Sequence, residues 1–391
     1  MTGVPFRQFV LKVHSRCNLA CDYCYVYEMA DQSWRDQPLR MSQATVNRTA
    51  ERIAEHVRTH RLPSVAVVLH GGEPLLAGAG FLTDLVLRMR DTVPARVDVS
   101  MQTNGLLLTE RRLAALAASG VRIGVSLDGD ARSTDRHRRF ADGRGSHQHV
   151  DRALRLLGRE EFKESFGGIL CTVDLEHDPL TGYEALLAYA PPAIDFLLPH
   201  GTWSNPPPAR GAGSRGTPYA DWLLAVFDRW YERQETWVRM FGEIVQSVLG
   251  GTPAVEGLGL RPSTVAVVDT DGAIKQLDTL AAAHPGAADL GLNVVDAAFD
   301  DALSHPLTRL RQGGIESLAA TCRRCAVVRT CGGGLFTHRY HPATGFANPS
   351  VYCPDLLRLV TVIRDRVAAD MAPAARRGFN QQGFDQRGSI Q

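Results

Sequence analysis

The chain has 391 residues, with 43 Lys and Arg against 42 Asp and Glu and a formal net charge of +1. So even a balance excludes a global field that would gather nucleic acid or a membrane surface, while 44% hydrophobic residues supply a full core. No apolar run reaches the roughly 18 residues of a membrane span, and the opening "MTGVPFRQF" lacks the apolar centre of a secretory signal. A cytoplasmic protein with reduced thiols is expected, in which clustered cysteines are metal ligands rather than disulfides.

Strand and helix signals alternate from the start. "QFVLKVH" (8–14) reads as a short apolar strand, and 42–60 as a helix with Ser42 at its N-cap. "SVAVVLH" (64–70) is a buried type of strand, followed by a helix at 80–90, a strand at 97–104 and a helix at 110–119. A strand at 122–128, a helix near 147–158, a strand at 167–174, a helix near 180–189 and a strand at 194–199 complete the series. Apolar strands joined by helices predict a parallel sheet covered on both faces. Six such units suit a partial barrel better than a complete eightfold one. The Pro- and Gly-rich stretch 202–218 reads as a long surface loop or boundary, followed by helices at 219–234 and 238–249. After 250 the pattern turns to short strands, turns and a cysteine group. The expected division is 1–235 for the partial barrel, 236–372 for bridging helices and a second domain, and 373–391 for a polar, disordered tail.

In such sheets the chemistry sits at the carboxyl ends of the strands. "CNLACDYC" (17–24) follows the first strand and holds Cys17, Cys21 and Cys24 at C-x3-C-x2-C. With eight cysteines in the whole chain, three within eight positions are not a chance grouping. Structural zinc takes four ligands, usually as paired C-x2-C knuckles, and His14 would have to complete the set. An iron–sulfur cluster is the other reading, and three thiolates would leave one iron open for chemistry. "HGGEP" (70–74), "QTNG" (102–105) and "SLDGD" (126–130) end the next three strands. Any one of them is an ordinary turn, but a polar group recurring at each strand end points to a site.

C-x3-C-x2-C with Tyr23 before the last cysteine, followed by the G-G-E-P strand end, resembles the radical S-adenosylmethionine (SAM) enzymes. The resemblance implies that Cys17, Cys21 and Cys24 hold a [4Fe–4S] cluster whose open iron takes SAM by its amino and carboxylate groups. One electron then cleaves SAM to methionine and a 5′-deoxyadenosyl radical. Tyr23 is expected near the adenine, and Gly71, Gly72 and Glu73 at the methionyl ammonium. Gln102 and Asn104 join the cofactor-facing set, and Ser126 and Arg138 hold the SAM carboxylate and ribose, with Arg136 and Arg139 as neighbouring candidates for the arginine.

"CRRCAVVRTC" (322–331) gives C-x2-C-x5-C, with Cys353 a further 22 residues on. The set Cys322, Cys325, Cys331 and Cys353 resembles the SPASM extension, which binds auxiliary [4Fe–4S] clusters. The full SPASM pattern carries seven cysteines for two clusters, and this chain departs from it. Leu277 and Leu335 stand where two inner-cluster cysteines belong, and no cysteine lies between 171 and 322. One auxiliary [4Fe–4S] cluster is therefore expected, and Cys171 reads as a small buried residue.

"ADQSWR" (30–35), "IDFLLPHGTW" (194–203), "DTDGAIKQLD" (269–278) and "RHRRFADGRGSH" (136–147) resemble the FxsB-type maturases, three-residue cyclophane formers. The implied activity abstracts a β-hydrogen from a ribosomally made precursor peptide and joins that carbon to an aromatic ring. Asp278, just past Leu277, is the candidate proton acceptor, with a plain turn aspartate as its alternative. Asp195, His200 and Trp203 are candidates to line the substrate; a packed Trp and a loop His are the plainer readings. An electron donor such as a flavodoxin or ferredoxin is implied, and no leader-binding domain is expected ahead of the first strand. Thioether formation, sulfatase-type oxidation, a non-catalytic iron–sulfur protein and a zinc protein are the alternatives.

Overall fold

The computed structural model describes residues 3–374 apart from 212, 215 and 254, so residues 375–391 of the expected tail lie outside the described residues. The first strand, β1 (Gln8–His14), buries every second residue, and Phe9, Leu11 and Val13 face the core. Five more strands follow at the expected places: β2 (Ser64–Gly71), β3 (Arg96–Thr103), β4 (Val121–Ser126), β5 (Phe166–Thr172) and β6 (Ala193–Leu197). They lie side by side in chain order, each parallel to the next. Between them run α1 (Gln43–His60), α2 (Ala79–Thr92), α3 (Glu110–Ala118), α4 (Ala131–His137), α5 (His147–Leu157) and α6 (Pro179–Leu187). The Ser42 side chain accepts from Thr45 N and starts α1 where the sequence places its cap. This is the partial (β/α)6 barrel, and its strand ends converge on one side of the sheet.

After β6 come α7 (Pro218–Arg233), a two-residue strand β7 (Trp237–Val238) and α8 (Arg239–Val248). Strands β8 (Val265–Val268), β9 (Ala273–Lys275) and β10 (Asp289–Asn293) then return to the opposite edge of the same sheet. The full order is β10-β9-β8-β1-β2-β3-β4-β5-β6-β7. Strand β8 runs parallel to β1, pairing Phe9 with Ala266 and Leu11 with Val268. A buried ionic clasp fixes this edge: Lys275 Nζ lies 3.1 Å and Lys12 Nζ 3.9 Å from the Asp269 carboxylate.

The rest of the chain is short helices and one long one: α9 (Phe299–Ser304), α10 (Pro306–Gln312), α11 (Ala320–Arg323), α12 (Val328–Cys331) and α13 (Cys353–Ala374). Helix α13 packs on α7 and α8. At their junction the Asp355 carboxylate accepts from Tyr219 N and Ala220 N at the start of α7 and pairs with buried Arg210 at 3.3 Å. No helix among the described residues is long and apolar enough to cross a membrane.

Candidate active site

The loop after β1 carries Cys17, Cys21 and Cys24 into the mouth of the barrel. It is pinned by short-range bonds: Cys24 N to Cys21 O at 3.1 Å, and Glu28 N to Cys24 O at 2.9 Å. Asn104, from the end of β3, donates to Asn18 Oδ1 at 2.8 Å and approaches Cys17 Sγ at 3.6 Å. Burial pushes the Cys17 thiol up to about 11 and the Cys21 thiol up to about 12. Buried thiols without a cation stay protonated, so these donors become thiolates only against a bound positive group.

The end of β2 is shaped for close approach. Gly71 adopts φ +143°, and a Cβ on it would lie 2.2 Å from His14 O. A Cβ on Gly72 would lie 1.9 Å from the Tyr27 hydroxyl and 2.4 Å from Arg16 O. Only glycine lets these backbones meet. Glu73 turns into the protein. Its carboxylate is fully buried and accepts from Leu75 N, Thr103 Oγ1 and Asn104 N. It clamps the end of β3 to that of β2 and does not line the cavity.

Around the cysteines, Gln102 Nε2 donates to Ser126 Oγ at 2.9 Å. Arg138 donates to the Tyr23 hydroxyl at 2.9 Å, and that hydroxyl makes a very short bond to Asp128. Asp128 also accepts from Thr172 N. The Arg138 Nε is buried with no partner in the protein, which leaves a donor for a ligand. Asp128 is a residue the sequence reading missed, although it sits within the quoted "SLDGD".

One cavity of ≈ 410 Å³ is lined by Cys17, Cys21, Cys24, Tyr23, Gly71, Gly72, Gln102, Asn104, Ser126 and Arg138. The same cavity is also lined by Asp195, His200, Arg239, Gly257, Leu335, His338 and Leu356. Asp195 is ion-paired to Arg239, from the first turn of α8. Burial lowers His200 to about 4, so its imidazole is neutral, and its Nδ1 has no partner in the protein. Trp203 is not part of this wall: its indole donates outside the cavity to Pro349 O at 2.9 Å. Asp278 borders the cavity through two lining residues, accepting from the Tyr25 hydroxyl at 2.8 Å and lying 3.7 Å from His70 Nδ1. Tyr25, His70 and Arg239 were not singled out in the sequence, because each gains its meaning from a partner distant in the chain.

In the second group, burial first and neighbouring cysteines second push up the thiols of Cys322, Cys353 and Cys331, the last to about 12. Arg339 binds the carbonyls of Gly332, Gly333 and Gly334 and so shapes the turn that follows Cys331. Leu277 and Leu335 lie in a small separate apolar cluster with Leu280 and Phe336, where Phe336 stacks on Phe346 at 4.3 Å.

Spacing separates zinc from a larger guest. A tetrahedral zinc with bonds of about 2.3 Å holds its sulfurs ~3.8 Å apart. Among the described residues no three cysteine sulfurs lie within 4.8 Å of one another. By ligand number, a three-thiolate set that leaves one iron open and a four-thiolate set both suit a four-iron cluster.

Residues 11–177 match the family model described as the radical SAM superfamily. The chain is 21% identical to the serine-type anaerobic sulfatase-maturating enzyme of Bacteroides thetaiotaomicron, over 86% of this chain and 84% of that one. It is 22% identical to the cysteine-type anaerobic sulfatase-maturating enzyme of Clostridium perfringens, over 89% and 94%. Its fold matches the solved structure titled "Native anSMEcpe with bound AdoMet and Cp18Cys peptide" with a TM-score of 0.77 at 20% identity, covering 94% of this chain and 99% of that one. The structure of Streptococcus suis SuiB bound to precursor peptide SuiA matches with a TM-score of 0.57 at 15% identity, over 89% and 76%.

Proposed function

We propose that this chain, which carries a radical SAM domain over residues 11–177, is a maturase that modifies a ribosomally made precursor peptide. The observation that carries the reading is the single continuous cavity. It joins three cysteines, a glycine cradle and an unpartnered arginine donor to Tyr25, His200 and His338, and its lining includes Leu356, three residues after Cys353.

Cys17, Cys21 and Cys24 would hold a [4Fe–4S] cluster with SAM on it, and Cys322, Cys325, Cys331 and Cys353 one auxiliary [4Fe–4S] cluster. When bound, these groups supply a radical that removes a hydrogen atom from the peptide and a sink for the electron released later. The chain's own part is binding, orientation and proton handling. Gly71 and Gly72 let the backbone reach the SAM ammonium, and Arg138 and the Gln102–Ser126 pair offer hydrogen bonds to its polar groups. The wall at Leu198, Leu258 and Leu335 excludes water from the radical's path. Asp278 takes the proton of the substrate, held in place by the Tyr25 hydroxyl. A reductant of the flavodoxin or ferredoxin kind supplies the first electron.

The finer reaction we infer is cyclophane formation, in which the β-carbon radical adds to an aromatic ring and one electron and one proton leave. It is supported by the apolar cluster around Leu277 and Leu335, which leaves a single auxiliary site. A second reading, sulfatase-type oxidation to an aldehyde, draws on the similarity to the sulfatase-maturating enzymes. Tandem mass spectrometry on reacted precursor separates them: a crosslink resists fragmentation between the joined residues, whereas an aldehyde is captured by a hydrazine reagent. Reconstituted protein should hold about eight irons in two four-iron clusters. Replacing Cys17, Cys21 and Cys24 by alanine should leave about four irons and abolish 5′-deoxyadenosine. Persistent SAM cleavage in that variant would overturn the assignment.

A further inference from the structure

A cluster of ligand-type side chains lies on the outer face of the barrel, apart from the cavity. Helix α1 presents His56 and His60 four residues apart, hence on one face of its last turns. Asp300, in the first turn of α9, reaches up to both. His56 Nδ1 lies 2.7 Å and His60 Nε2 2.9 Å from the same oxygen, Asp300 Oδ1. The three ligand atoms all lie within 4.8 Å of one another.

We propose that His56, His60 and Asp300 form a divalent-metal site of the zinc class that ties α1 to α9. Zinc bonds of about 2.0–2.2 Å place tetrahedral ligand atoms ~3.3 Å apart. The two nitrogen–oxygen pairs are already inside that spacing, and the half-buried His60 ring can close the remaining gap. Asp300 is half-buried, with its side chain 42% exposed, and gives an ion a way in, while Phe6, Phe9 and Phe299 surround the buried His56 ring and hold its orientation. Without a metal, Nδ1 of His56 must carry the proton to bond Asp300, and its buried Nε2 is left without a partner. With a metal on Nδ1 the proton moves to Nε2, the far nitrogen of a metal-bound imidazole. The site leaves a coordination position for water and pins the segment after β10 to the barrel.

Because free thiols would compete for zinc, the test uses the full chain with its iron–sulfur clusters reconstituted anaerobically. Zinc is added at one equivalent, and crystals of this sample are examined at the zinc absorption edge. The expected result is an anomalous peak bonded to His56 Nδ1, His60 Nε2 and Asp300 Oδ1. Calorimetric titration should show saturable binding that weakens at least tenfold in both His60→Ala and Asp300→Asn, with unchanged iron content as the check that each variant folds. Zinc found only at the cysteines, or equal affinity in wild type and both variants, would overturn the proposal.

Discussion

At the scale of single residues, Asp278 and Glu73 are carboxylates of opposite kinds. Asp278 is held by the Tyr25 hydroxyl and lies near His70, two residues of the cavity wall, while it lines a small neighbouring pocket itself. A proton acceptor needs such a partner to fix its direction while leaving a lone pair free. Asp278→Asn should therefore preserve SAM binding and deoxyadenosine formation yet lose roughly 100- to 10,000-fold in modified peptide, because hydrogen abstraction precedes the step that needs a base. Normal kcat with only a raised KM would reduce Asp278 to a binding group. Glu73, by contrast, spends its carboxylate on three donors inside the protein. Glu73→Gln turns one acceptor into a donor facing Leu75 N or Asn104 N, a buried mismatch worth about 1–3 kcal/mol. Thermal unfolding should register that loss, with SAM affinity falling no further than the distortion of β3 explains. A large rise in the SAM Kd at unchanged Tm would restore the direct contact with the ammonium that the motif first suggested.

At the scale of elements, the junction of α7 with α13 turns on Asp355. It caps the start of α7 through two backbone bonds and neutralises Arg210 in the interior. Asp355→Ala strands a buried guanidinium, a loss of about 3–5 kcal/mol. Asp355→Asn keeps an oxygen for the backbone donors and should unfold between the two; denaturation curves that rank Asn at or below Ala would refute the capping role. This scale also shows what the sequence made legible. The six barrel strands were readable because runs such as "SVAVVLH" and "RIGVSLD" are rich in β-branched residues and end in turns. Helix α4 was not, since "ARSTDRH" has no apolar period; its start is set by Asp130, which accepts from Ser133 N. Strand β7 has two residues and rests on pairing with β6 alone. The cysteine ligands were legible as spacing. The fate of Glu73, the distance of Trp203 from the cavity and the Asp195–Arg239 pair were not, because they depend on which way a side chain turns and on partners from remote strands.

At the scale of the molecule, the decisive feature is that one sheet carries both ends of the chemistry. Strand β1 leads into the first cysteine loop, and β8 lies directly beside it. Asp278 follows β9, the next strand out, so Asp278 and the cysteines of the first loop are registered by shared backbone hydrogen bonds. A hinge between them would leave that register to chance. The sequence suggested a boundary at 235/236, and the sheet runs across it. Cutting there would turn β1 into an edge strand with unpaired backbone groups, a template for aggregation. It would also strip Phe299 from Phe9, where the rings sit 4.7 Å apart, and remove α13 from α7. We therefore expect a 1–235 fragment to be insoluble or to unfold without a cooperative transition, whereas a 1–374 fragment, which keeps every described strand, should match the full chain in Tm and iron content. The measurement is sedimentation and calorimetry on both fragments after anaerobic reconstitution. A monomeric 1–235 fragment that melts cooperatively and still cleaves SAM would show that the barrel stands alone, and that the β1–β8 pairing positions Asp278 without being needed to hold the first cysteine site together.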